Sequence, residues 1–197
     1  METIESAKIA IKFFLKILSR LEKYDGRLPA LEGEIDAFYV TFMQTASILG
    51  ESFIISNKGV RPAKEDGENE AAIRLAISTD GARVKLSAEA RRIKNDVLFI
   101  AKKISEMRRH LAVGRTDAAG YVVSSLERRR SGPSQKAPDD ANERFLRRLS
   151  YILGDVENKN NALIKRSTET LDKFTRFSPN AERRIKKIMA YGKSKQA

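Results

Sequence analysis

The sequence has no cysteine, no tryptophan and a single histidine, His110, among its 197 residues. Without cysteine the chain cannot form a disulfide, a thiolate nucleophile or a cysteine-ligated metal site. A Ser-His-Asp triad would depend on His110 alone, which falls on the flank of a basic helix beside Arg109. We therefore predict that the protein is not an enzyme and uses no metal or other cofactor.

Long uninterrupted apolar runs are also missing. In the most apolar region, near the N-terminus, a basic residue stands at every fourth position: Lys8, Lys12, Lys16 and Arg20. This spacing leaves no stretch that could serve as the apolar core of a signal peptide or cross a bilayer. The expected location is the cytoplasm.

What the sequence does have is positive charge, unevenly divided. Residues 1–65 contain nine basic and nine acidic residues, whereas residues 66–197 contain 29 basic and 17 acidic residues and so carry the whole net charge of +12. Many of these basic residues stand in adjacent pairs on predicted helices. Such clustering is typical of a surface that binds a polyanion, although a solvated helix face has a similar composition.

Helical periodicity dominates the chain and predicts a mainly α fold, a helical bundle. Apolar residues at steps of three and four predict a helix over 3–24, and a second such pattern begins after Pro29 and continues to Ser52. Because Asp25-Gly26 and Pro29 are helix-terminating residues, we expect an N-terminal αα-hairpin. For Phe53-Ile54-Ile55, periodicity leaves helix and strand equally open.

One β-hairpin is predicted over 72–86. Ile73, Leu75 and Ile77 alternate with polar or small residues, Asp80-Gly81 provides a turn, and the alternation resumes at Val84. After Ser87, a candidate N-cap, apolar residues step by 3, 4, 3, 4, 3, 4 from Ala90 to Leu111. This seam is compatible with a packed bundle helix and with a short coiled coil.

The best candidate linker is residues 131–141, which contain two prolines and small polar residues. We expect a helical core with the inserted β-hairpin over 1–130 and a long basic helical segment over 142–197. The polar run within 154–161 leaves open whether its long helix bends or breaks there. The dipeptide Ser178-Pro179 predicts the start of a last helix, which should end near Gly192.

The function predicted from these features is that of a non-catalytic nucleic-acid-binding subunit. Basic helices would contact the phosphate backbone of DNA or RNA largely without regard to sequence. The predicted phosphate-binding residues lie on the helix after Ser87 and beyond the linker: Arg91, Arg92, Lys102, Lys103, Arg108, Arg109, Arg147, Arg148, Arg183, Arg184, Lys186 and Lys187.

The alternative is a structural or adaptor subunit of a larger assembly. In that case the apolar seams would join copies of the chain or partner proteins, and the basic pairs would meet acidic protein or an anionic membrane surface.

Overall fold

A computed structural model describes residues 2–63, 68–113 and 141–196, with side chains described for 11–63, 69–106, 148–149 and 151–195. Its elements in chain order are α1 (Glu2–Ser52), β1 (Phe53–Ser56), β2 (Gly59–Pro62), α2 (Glu68–Val113), α3 (Ala141–Asp172), a 3-10 helix (Lys173–Arg176) and α4 (Pro179–Gln196). The mainly α fold is confirmed. The predicted linker lies outside the described residues except for Ala141, so the predicted division of the chain into segments stays a prediction.

The predicted N-terminal αα-hairpin is wrong, because α1 runs without interruption through Asp25, Gly26 and Pro29. A proline inside a helix removes one backbone hydrogen bond and costs about 3 kcal/mol. Leu28 and Leu31, on either side of Pro29, are fully buried, and each contributes about 1.5–3 kcal/mol on burial. Burial on both sides of the proline therefore offsets its cost.

The predicted β-hairpin at 72–86 is also wrong, because these residues belong to α2. The buried residues here are the small ones, Ala72, Ala76 and Thr79, whereas Ile77 and Val84 are about half exposed. A strand would have buried Ile77 and Val84 instead. Small side chains at positions 72, 76 and 79 extend the buried seam that begins at Ala90 toward the N-terminus of α2, at steps of four and three. Ser87, the predicted N-cap, therefore lies inside α2 rather than at its start.

The two-stranded hairpin of this protein lies earlier, between α1 and α2. Phe53 pairs with Pro62 and Ser56 with Gly59 in antiparallel register, so Phe53-Ile54-Ile55 forms a strand. Gly59 has φ of +136°, a conformation that side-chain-bearing residues rarely adopt. The Ser56 hydroxyl donates to the Gly59 carbonyl at 3.3 Å, and closes the turn.

The predicted long C-terminal helix is present as α3, which continues through 154–161. Its buried face explains why the polar run in this region does not end the helix. The inward positions step by four and three and include polar as well as apolar residues: Leu149, Leu153, Val156, Asn160, Leu163, Ser167 and Thr170. A seam that includes Asn, Ser and Thr is invisible to a search for apolar residues alone.

The described chain divides into two compact units. The first comprises 1–26 and 94–166, and its core includes Phe14, Leu21, Val97 and Leu163. The second comprises 27–93 and 167–197, and its core includes Leu31, Ile35, Phe42, Phe177 and Ile188. Each unit therefore has its own apolar interior. Among the described helices, none carries an apolar stretch long enough for a bilayer crossing.

Asn160 is a polar residue buried in the first unit. Its side chain is 1% exposed, and neither amide atom has a hydrogen-bond partner among the described residues. An unsatisfied buried polar group destabilises a fold by about 1–3 kcal/mol. We expect Asn160→Leu, of similar volume, to raise the free energy of unfolding by about that amount in urea denaturation. A loss of stability instead would contradict an unsatisfied amide.

Candidate nucleic-acid interface

Helix α4 is fixed firmly to the second unit through one face. Its start was predicted correctly: Pro179 is the first helical residue, and the Ser178 hydroxyl accepts a hydrogen bond from the Ala181 amide at 3.4 Å. Ile185 and Ile188 are buried. At Gly192, an added Cβ would lie 2.4 Å from Cγ2 of Ile73, so only glycine permits this approach. The helix continues past the predicted end at Gly192 to Gln196.

Away from its buried residues, α4 is basic and exposed. Six cationic side chains lie there, and within the described ranges none of them forms an ion pair: Arg183, Arg184, Lys186, Lys187, Lys193 and Lys195. The one acidic residue of α4 is Glu182, which accepts a hydrogen bond from Arg83 on α2 at 3.4 Å. Helix α4 therefore presents uncompensated positive charge. We call these six residues the α4 basic face.

Three cations of the same unit, Arg27, Lys173 and Arg176, are neutralised by carboxylates. Arg27 donates to Glu89 at 2.8 and 2.9 Å and to Glu34 at 2.5 and 3.0 Å. Lys173 and Arg176 both bind the carboxylate of Asp36. Except for Arg27 with Glu34, these pairs join segments that are distant in sequence, so their role is in folding. The α4 basic face differs from them because no carboxylate is placed against it within the described residues.

The carboxylates in these pairs are held in their charged form. Hydrogen bonds from Arg27 lower the pKa of Glu89 and of Glu34 below their ordinary value. The hydrogen bond from Lys173, followed by that from Arg176, lowers the pKa of Asp36. A group with a lowered pKa stays ionised at neutral pH and loses its stabilising charge only below its ordinary titration range. Near pH 7 these three carboxylates therefore stay ionised and paired with their basic partners.

The structure places the predicted phosphate-binding residues in both units. Arg183, Arg184, Lys186 and Lys187 belong to the α4 basic face. Arg91 and Arg92 are exposed on α2 in the second unit, and neither has an ion-pair partner among described residues. In the first unit, Lys102 and Arg148 are exposed in the same way, whereas Lys103 pairs with Glu106 at 2.8 Å. Arg108, Arg109 and Arg147 lie in helices, with side chains outside the described set.

The seam that the alternative function would use is buried. Ile93, Val97, Ile100 and Ile104 are all buried within a single chain, as expected for a packed bundle helix. The apolar face of α1 is likewise buried at Phe14 and Ile17, whereas Phe13 is exposed. Phe13, Phe99 and Tyr151 are exposed aromatic residues that the sequence predictions did not include among the binding residues.

A signal for Phe99 was present in the sequence. The seam of α2 occupies Val97, Ile100 and Ile104, so an aromatic residue at 99 falls off the seam and faces outward. Tyr151 is off the seam of α3 in the same way, between Leu149 and Leu153. Lys103 places its Nζ 5.6 Å from the centre of the Phe99 ring. Exposed aromatic rings thus lie beside basic residues.

Comparison with known proteins adds no relative to this description. No protein-family model, no curated protein and no solved structure matches the chain.

Proposed function

We propose that this protein binds nucleic acid through the phosphate backbone, with the α4 basic face as its principal contact. The observation that carries the proposal is the concentration on one helix of six exposed cations that are unpaired within the described ranges. Arg27, Lys173 and Arg176 are each paired with a carboxylate, whereas the six cations of α4 have no such partner among the described residues. Like charges crowded on one helix are unfavourable, and a bound polyanion relieves that repulsion.

The residue types and their spacing favour phosphate as the ligand. Arg183 and Lys187 are four residues apart, and Lys186 is three residues from Arg183, so the three share one side of α4. Guanidinium groups bind phosphate oxygens in two-point geometry, and ammonium groups bind them as point charges. None of these contacts reads a base, so binding is expected to be largely independent of sequence.

Arg91, Arg92, Lys102, Lys103, Arg108, Arg109, Arg147 and Arg148 are proposed as further phosphate contacts. Arg91, Arg92, Lys102 and Arg148 share two properties with the α4 basic face: they are exposed, and they lack an ion-pair partner in the described part of the chain. The alternative function, a structural or adaptor subunit, is not favoured by a comparable observation, because the seam at 93–104 is buried within the chain.

The proposal is tested by titrating the purified protein against labelled single-stranded DNA, double-stranded DNA and RNA of equal phosphate number. Engagement of six to ten phosphates should lower the affinity by about 10³–10⁵ between about 50 and 200 mM salt. Equimolar phosphatidylserine and phosphatidylcholine vesicles serve as an anionic control. Tight, salt-dependent binding of nucleic acid with weak vesicle binding supports the proposal. Binding to vesicles alone, or to none of these ligands, contradicts it.

A further inference from the structure

Several aromatic side chains of the first unit are exposed, whereas a group of aromatic side chains in the second unit packs together. In the second unit, Phe38, Tyr39, Phe42 and Phe174 all pack their rings within 6 Å of the ring of Phe177. Among the described residues of the first unit, the most exposed aromatic side chains are Tyr151 at 68% and Phe99 at 57%, followed by Phe13 at 43%. Apolar rings on the surface lose the favourable free energy of burial unless a ligand covers them.

Each exposed ring has a basic residue one helical turn away. Lys102 and Lys103 follow Phe99 by three and four residues, and Lys103 approaches its ring. Arg148 precedes Tyr151 by three residues. The same relation links Lys16 to Phe13 on α1. Residues three or four apart share a helix face, so each ring and its cation present one surface to the same ligand.

A ligand that matches such a surface combines a flat aromatic face with a negative charge close by. An unpaired nucleotide has both, because its base stacks on aromatic side chains while its phosphate binds a cation. The bases of a duplex are already stacked on their neighbours and do not offer a free face. We propose that the first unit binds single-stranded nucleic acid by stacking unpaired bases on Phe99 and Tyr151, with Lys102 and Arg148 holding adjacent phosphates.

This inference rests on the proposed function and makes it more specific. The α4 basic face binds phosphates of any strand, whereas Phe99 and Tyr151 provide a preference for unpaired strands. Stacking of one base on an aromatic side chain contributes about five- to 150-fold to affinity. The chemistry is common to single-stranded DNA and RNA, and titration with both distinguishes the two sources.

The absence of tryptophan from the chain permits a direct test. Phe99→Trp and Tyr151→Trp each introduce a single reporter whose fluorescence is quenched by a stacked base. Val40→Trp is the matched control. The exposed fraction of Val40, 56%, is close to the 57% of Phe99, but Val40 lies in the uncharged stretch 37–50. We expect quenching of the reporters at 99 and 151 by a single-stranded oligonucleotide. An abasic oligonucleotide of equal phosphate number and a duplex should quench neither, and the control at 40 should not respond.

Affinity measurements with the double variant Phe99→Leu, Tyr151→Leu complete the test. Leucine keeps these positions apolar but offers no ring. Two lost stacking contacts should weaken binding of the single strand by about thirtyfold or more, with duplex and abasic affinities changed less than about twofold. Quenching at 40 as strong as at 99 and 151, or equal wild-type affinity for the abasic and normal strands, overturns the stacking proposal. If wild-type protein binds none of these ligands, the proposed function fails as well.

Discussion

Replacing four cations of the α4 basic face with glutamine is expected to lower duplex affinity by about a thousandfold at 150 mM salt. The variant is Arg183→Gln, Arg184→Gln, Lys186→Gln, Lys187→Gln. Each phosphate contact contributes about 0.9 to the slope of log affinity against log salt, so four lost contacts should reduce that slope by about 3 to 4. Glutamine has nearly the helix propensity of arginine and lysine, and all four side chains are exposed. Circular dichroism should therefore show unchanged helix content.

A second variant with the same charge loss controls for net charge. Lys12, Lys23, Lys58 and Lys85 are also exposed and without ion-pair partners in the described part of the chain. Their replacement by glutamine likewise reduces the net charge from +12 to +8. Because salt screens interactions beyond about 10 Å, we expect this variant to lose less than about tenfold. Equal losses in the two variants would show that total charge, and not the α4 basic face, governs binding.

Phe177→Ala is expected to reduce the free energy of unfolding by about 3–5 kcal/mol. Phe177 is 3% exposed, and four aromatic rings surround it at centroid distances of 4.9 to 5.8 Å. Truncation leaves a cavity among these rings and removes their edge and stacked contacts. Phe177 immediately precedes Ser178, the cap of α4, so the loss should also loosen the attachment of the α4 basic face. Urea denaturation followed by circular dichroism measures the change.

Phe99→Ala is the matched control for this measurement, because it removes the same atoms from an exposed site. With the ring of Phe99 largely in water, its removal should change stability by less than about 0.5 kcal/mol. Phe177→Leu should lose less stability than Phe177→Ala, because leucine fills part of the cavity. A loss below about 1 kcal/mol for Phe177→Ala would contradict the central place of this ring in the second unit.

The sequence predictions missed the continuation of α1 through Pro29 and the helix at 72–86 for the same physical reason. In both places, burial in the tertiary structure outweighs the local preference of the sequence. At Pro29, local preference ends a helix, but burial of Leu28 and Leu31 maintains it. At 72–86, alternating apolar residues resemble a strand, but the residues that pack inward are Ala72, Ala76 and Thr79. Thr79 contacts Thr45 of α1 at 3.4 Å between hydroxyl oxygens. Small residues gain little by burial themselves, but they let two helices approach closely.

For the candidate site, the sequence identified the basic residues but not which of them are paired with carboxylates. Arg183 and Arg176 are both arginines close in sequence, yet Arg176 binds Asp36 and Arg183 has no ion-pair partner among the described residues. The partner carboxylate is 140 residues away in sequence, so no local pattern could reveal the pairing. The exposed aromatic residues were detectable in the sequence because they fall outside the seam positions. Finding those positions requires counting alanine, threonine and asparagine as possible seam residues.

The sequence alone determined the mainly α class, the seam from Ala90 onward, the start of α4 at Pro179 and the confinement of net positive charge to residues 66–197. These properties depend on local periodicity, local capping and composition. Only the tertiary structure decided that α1 continues through Pro29, that 72–86 is helical and that the cations of α4 face solvent without carboxylate partners in the described chain. The reason is that burial and ion pairing join residues far apart in sequence, and their free energies exceed the local preferences of a few residues.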